Sequence, residues 1–135
     1  MRSHTIRFRV RYNEVDRQDV VYHANYLSWF DMGRTELLRD LGMPYKEMED
    51  GGRFLVVTRA SLRYLAPARL DDLLLLRTRL VKVSPARLTF EYELFREGEE
   101  TLLTRGSTEL ACLDREGRVR RLPERILRLL GRSPS

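Results

Sequence analysis

The chain has 135 residues, 42% of them hydrophobic and 33% charged, which is enough to build one domain with its own core and no metal or disulfide support. It contains no stretch of eighteen apolar residues and no charged-then-apolar leader ending in a small-residue cleavage site, so it reads as soluble, unexported and without an integral membrane segment. The formal charge of +5 invites an anionic partner, and arginine is dense from Arg115 to Arg132, yet no zinc-ligand spacing, glycine-aromatic RNA signature or basic coiled-coil region organises those charges for nucleic acid.

Ile6, Phe8, Val10 and Tyr12 alternate with Arg7, Arg9 and Arg11, the period of a half-buried first strand. From Asn25 to Leu41 the period becomes helical, with Tyr26, Phe30, Gly33, Leu37 and Leu41 in register and Gly42 as the stop. Gly33 weakens that helix relative to alanine, so its expected use is to let another backbone approach closely.

After Gly51-Gly52 come four extended stretches, Phe54 to Leu65, Leu73 to Val83, Arg87 to Arg96 and Thr101 to Leu113. The third is the clearest: Leu88, Phe90, Tyr92 and Leu94 share one face, and Arg87, Thr89, Glu91 and Glu93 the other. Short connections at Ala66-Pro67-Ala68, Ser84-Pro85 and Glu97-Gly98-Glu99 favour antiparallel neighbours. Pro123 then opens a short amphipathic helix through Leu130, which Gly131 ends. The expectation is one α+β domain spanning 1–135, with a long helix packed on a mostly antiparallel sheet.

The most informative segment is Asp16-Arg17-Gln18-Asp19-Val20-Val21-Tyr22-His23-Ala24-Asn25, a carboxylate just upstream of a helix start. A helix N-terminus offers unpartnered N–H groups and a positive dipole end to the oxygen of a polarised carbonyl, while a nearby Asp can attack its carbon or activate water. Taken alone, Asp16 reads first as a turn residue bonded to its own backbone. His23 likewise reads as a packed or surface histidine. Two histidines and one cysteine assemble no familiar metal-ligand spacing, and nucleophile-elbow, phosphate-loop and dinucleotide motifs are absent. Cys112, in the apolar run Leu110 to Leu113, is expected to be a buried, inert thiol.

The run Tyr12-Asn13-Glu14-Val15-Asp16, continued by Val20 through Leu27 and joined by Tyr64-Leu65-Ala66-Pro67-Ala68 and Asp71-Asp72, resembles the hotdog-fold acyl-CoA thioesterases. Within them it is most similar to the 4-hydroxybenzoyl-CoA thioesterase family and its Tol-Pal-associated bacterial subgroup. The resemblance implies a five-stranded antiparallel sheet wrapped around the long helix, a homodimer joined sheet edge to sheet edge or a homotetramer, and a cytoplasmic hydrolase. It implies that Asp16 is the catalytic carboxylate and the His23 N–H the oxyanion donor. Tyr22 and Asn25 would position substrate or brace the turn, and no metal or organic cofactor would be needed, coenzyme A being part of the substrate. Cationic partners for its phosphates are sought among Arg59, Arg63, Lys82 and Arg87. The family pattern has glycine where this chain has Asp19, a position calling for backbone angles that Asp adopts less readily.

Four other readings stand beside acyl-CoA hydrolysis. They are hydrolysis of an acyl carrier protein thioester, a hotdog dehydratase, an acyl-CoA-binding or interaction module without turnover, and nucleic-acid binding.

Overall fold

The computed structural model describes residues 2–16, 18–99 and 101–131; Arg17 and Arg132 lie outside them. The elements are β1 (Arg2–Arg9), a 3-10 turn (Tyr12–Glu14), α1 (Ala24–Asp40), α2 (Tyr45–Asp50), β2 (Phe54–Tyr64), β3 (Leu73–Val83), β4 (Arg87–Arg96), β5 (Leu102–Leu113) and α3 (Glu124–Leu129). Every strand pairing is antiparallel, in the order β1-β3-β4-β5-β2. No helix among the described residues is long and apolar enough to cross a membrane.

The sheet's alternation creates one face for α1. Leu88, Phe90, Tyr92 and Leu94 of β4 are fully buried, as are Leu74 and Leu76 of β3, and α1 lays Tyr26, Trp29, Phe30, Gly33 and Leu37 against this face. Burial of each large apolar side chain contributes roughly 1.5–3 kcal/mol. Phe30 stacks on Tyr92 with centroids 4.2 Å apart and planes at 3°. Gly33 does mark a close approach, but to β3 side chains and not to its backbone: a Cβ there would collide with Thr78 Oγ1 and lie 2.8 Å from Leu76 Cδ2. Cys112 is free and fully buried, and burial pushes its thiol above the ordinary range.

Several expected boundaries move. The first strand runs Arg2–Arg9, not Ile6 to Tyr12, because the chain leaves the sheet after Arg9 and turns at Tyr12–Glu14, leaving Tyr12 82% exposed. Helix α1 is displaced by one residue at each end, and α2 was not anticipated. Strands β3 and β4 match their expected bounds.

Among the described residues strand β2 has one neighbour, β5, and its far edge is unpaired. Val56, Val57 and Tyr64 on β2, with Leu65 just beyond, are exposed. Such an edge is a template for another strand.

Candidate active site

The Asp16 segment is a hairpin of its own. Val15 and Val21 form an antiparallel bridge, and the Asp16 N–H donates to Val20 O at 2.9 Å. Asp16 Oδ1 accepts the Gln18 N–H at 2.8 Å and the Val20 N–H at 3.4 Å, the self-bonded turn that Asp side chains favour. Oδ2 has no partner among the described residues, and the side chain is exposed. The turn reading and the acid reading are therefore compatible: one oxygen holds the loop, and the other is left without a partner among the described residues. Asp19 closes the turn at φ 61°, the left-handed region in which glycine is at home.

Four residues past Val20 the helix begins. His23 already has helical angles, φ −52° and ψ −39°, and caps α1 without a side-chain hydrogen bond. The Asn25 and Tyr26 N–H groups close the first turn on Tyr22 O and His23 O, whereas the His23 and Ala24 N–H groups have no acceptor among the described residues. Two donors without an acceptor among the described residues thus stand at the positive end of a seventeen-residue helix, just beyond the Val15–Val21 hairpin that holds the Asp16 carboxylate.

Glu14 anchors this arrangement, a part that sequence reasoning missed. Its carboxylate is 7% exposed and accepts Trp29 Nε1 and the Arg11 N–H, each at 2.8 Å. Its backbone oxygen accepts the Tyr22 N–H at 3.0 Å and Asn25 Nδ2 at 2.8 Å. One residue therefore ties the turn to the first two turns of α1. Asn25 is spent on this brace, and Tyr22, 61% exposed, meets it through its backbone.

Beside His23 lies a depression of about 230 Å³, walled by Val20, Val21, Tyr26, Tyr64 and Pro67. The Tyr64 ring is 5.1 Å from the His23 ring and 5.0 Å from the Tyr26 ring. Tyr26 Oη accepts the Ala68 N–H at 3.2 Å, and burial raises its phenol above the usual range. A larger cavity of about 560 Å³ lies farther along α1, between Arg34, Leu38, Met43, Tyr45, Leu55 and Leu110.

The four candidate cations do not join Asp16 in one chain. Gly106 packs under Phe30 and pairs with Leu62, so Arg63 and Arg59, odd-numbered on the same strand, point to the sheet face opposite the helix. Lys82 pairs with Thr89, and Arg87 alternates with Leu88, which puts both on that outer face too. Arg87 is also matched by Glu109 at 3.6 Å, while Arg59 and Arg63 have no ion pair among the described residues. Arg63 faces Arg105 directly across the β2–β5 ladder.

A model of the thioesterase superfamily matches residues 18–103, the span that contains the helix start, the Tyr64–Asp72 connection and four of the five strands in whole or part. The chain belongs to the thioesterase superfamily. Among curated relatives, the acyl-CoA thioesterase YbgC of Haemophilus influenzae is 36% identical over 78% of this chain and 77% of its own. Of solved structures, a Thermus thermophilus protein is 37% identical with a TM-score of 0.86, covering 95% of each chain. The DHNA-CoA thioesterase of Staphylococcus aureus is 32% identical with a TM-score of 0.85, covering 90% of this chain and 82% of that one. The fold is thus the hotdog fold, with α1 as its wrapped helix.

Proposed function

We propose that this superfamily member hydrolyses acyl-CoA thioesters. The observation that carries the reading is the sequence of a hairpin-held carboxylate with one oxygen free of partners among the described residues, followed directly by the start of α1, whose His23 and Ala24 N–H groups have no acceptor among those residues. The similarity to a YbgC acyl-CoA thioesterase supports the same substrate class.

In this reading the thioester oxygen lies on the His23 N–H. Asp16 either attacks the carbonyl carbon or takes a proton from the attacking water. The C–S bond breaks as a C–O bond forms, and one water is consumed to leave a carboxylate and a free thiol. The charge that develops on oxygen meets N–H groups already oriented by the helix, so little reorganisation is needed. The residues themselves supply this chemistry without a metal or organic cofactor.

A second copy completes the site. Antiparallel pairing of two β2 edges sets the Leu55 end of one strand beside the Tyr64 end of the other, so the 560 Å³ cavity of one copy adjoins the His23 turn of its partner and becomes its acyl pocket. Arg59 and Arg63, which have no ion pair among the described residues, are the cations assigned to hold the carrier's phosphates, whereas Arg87 already pairs with Glu109. We place the enzyme in the cytoplasm as a homodimer or homotetramer of the Tol-Pal-associated subgroup, on the Tyr22-His23-Ala24-Asn25 resemblance.

A panel of acyl-CoA thioesters with free-thiol detection tests the reading, run beside acyl carrier protein thioesters. Thiol release from CoA substrates is expected. Release from carrier protein substrates alone would transfer the activity to the other carrier, and calorimetric acyl-CoA binding without thiol release from either would make the chain a binding module.

A further inference from the structure

Arg96, the last residue of β4, is remote in sequence from every residue of the proposed site. Its guanidinium is a three-way clamp: Nε donates to Asp72 Oδ2 at 3.1 Å, Nη2 to Pro67 O at 3.1 Å and Nη1 to Glu99 Oε2 at 3.0 Å. Two of the three acceptors belong to the connection between β2 and β3. Asp72 Oδ2 also accepts the Arg69 N–H at 2.9 Å, so one carboxylate oxygen joins the clamp to the loop's interior.

The other side of that connection is the rail on which the Asp16 hairpin rests. Val20 bridges Arg69, the Val21 N–H donates to Ala68 O at 2.9 Å, and the Leu70 N–H donates to Asp19 O at 3.0 Å. Pro67 is a wall of the depression beside His23. The hydrogen bonds therefore run from Arg96, through Pro67 and Asp72, to Asp19, Val20 and Val21, and thence to Asp16. Arginine suits this duty because its planar fork holds separate acceptors at fixed angles, which a lysine ammonium on a flexible stem does not.

We infer that Arg96 is a positioning residue for thioester hydrolysis, holding the Pro67–Asp72 connection so that the Asp16 hairpin keeps its place beside the start of α1. This rests on the Asp16 reading above. A displacement of about 1 Å at a reacting group costs on the order of 100-fold in rate, which sets the size of the effect.

The test compares Arg96→Ala, Arg96→Lys and Glu99→Gln with the wild type, reading kcat, KM and amide hydrogen exchange. Arg96→Ala is expected to lose kcat on the order of 100-fold with little change in KM. Exchange at Val21 and Leu70 should quicken while β3, β4 and β5 stay protected, which separates loosening of the turn from loss of the fold. Arg96→Lys should fall between, and Glu99→Gln, which removes only the charge of the acceptor outside the connection, should match the wild type. Unchanged kcat in Arg96→Ala, in a protein that Asp16→Asn inactivates, overturns the clamp and leaves the site standing. Wild-type turnover by Asp16→Asn overturns the site reading instead, and unchanged exchange at Val21 and Leu70 then overturns the clamp on its own.

Discussion

Asp19 sits at φ 61°, three residues after Asp16, with its N–H on Asp16 O at 3.1 Å and its oxygen accepting the Leu70 N–H. Left-handed backbone costs an ordinary L-residue roughly 1–2 kcal/mol, and Asp less, since its short polar side chain tolerates the region. The departure from the family's glycine is therefore absorbed by a residue that can adopt glycine's conformation. Asp19→Gly should keep thiol-release activity and change stability by no more than about 1 kcal/mol, whereas Asp19→Val should cost about 1–2 kcal/mol by urea denaturation, since a β-branched residue is strained there. Glu14 makes the opposite case for legibility. Its identity was plain in the sequence, but its bonds to Trp29, Asn25 and Tyr22 span up to fifteen residues and leave no periodic trace.

Among the elements, β3 and β4 were readable to the residue because their apolar-rich runs are bounded by clustered acids, a proline and a glycine. β1 was not, since the alternation of Ile6 to Tyr12 continues past the point where the chain leaves the sheet, and its polar start at Arg2 to Thr5 carries no apolar signal. α2 is six residues long with Met48 its one buried side chain, too little for a period to show. The turn after β5 supplies a measurable element-scale effect. Asp114 is 8% exposed and accepts the Glu116 and Arg118 N–H groups at 3.0 Å each, with Arg118 Nε at 3.2 Å and Arg120 Nε at 2.9 Å. The backbone N–H bonds foremost, then the two guanidinium groups, hold its carboxyl at about 2 against an ordinary 3.8. A depressed carboxylate stabilises the fold above its unfolded value, and that contribution is lost as pH falls through the folded value. The melting temperature of the wild type should exceed that of Asp114→Asn most above about pH 4, with the gap closing toward pH 2. A gap independent of pH would contradict this.

At the scale of the whole molecule, the excess positive charge is concentrated away from the helix. On the outer sheet face Arg77 pairs with Glu93, Arg79 with Glu91 at 3.4 Å and Arg87 with Glu109, Arg105 faces Glu93 across the β4–β5 ladder, and Arg59 and Arg63 have no ion pair among the described residues. The candidate cations were legible as strand residues, but which face they shared with the acid depended on register, which a single sequence does not state. The unpaired β2 edge makes a further demand. Light scattering should give a dimer or a higher even assembly, and Val56→Lys with Val57→Lys, placing charges on that edge, should weaken it. Because the acyl pocket is assigned to the partner, turnover should fall with assembly as the protein is diluted. A monomer with full activity would contradict the composite site.

The proposed hydrolysis rests on the carboxylate of Asp16. Asn at position 16 retains an Oδ1 that can accept the Gln18 and Val20 N–H groups, so the turn survives while the charge is lost. The direct measurement is single-turnover thiol release from acyl-CoA by folded Asp16→Asn beside the wild type. A fall of about 100- to 10,000-fold is expected with acyl-CoA binding retained, and release at the wild-type rate would contradict the account.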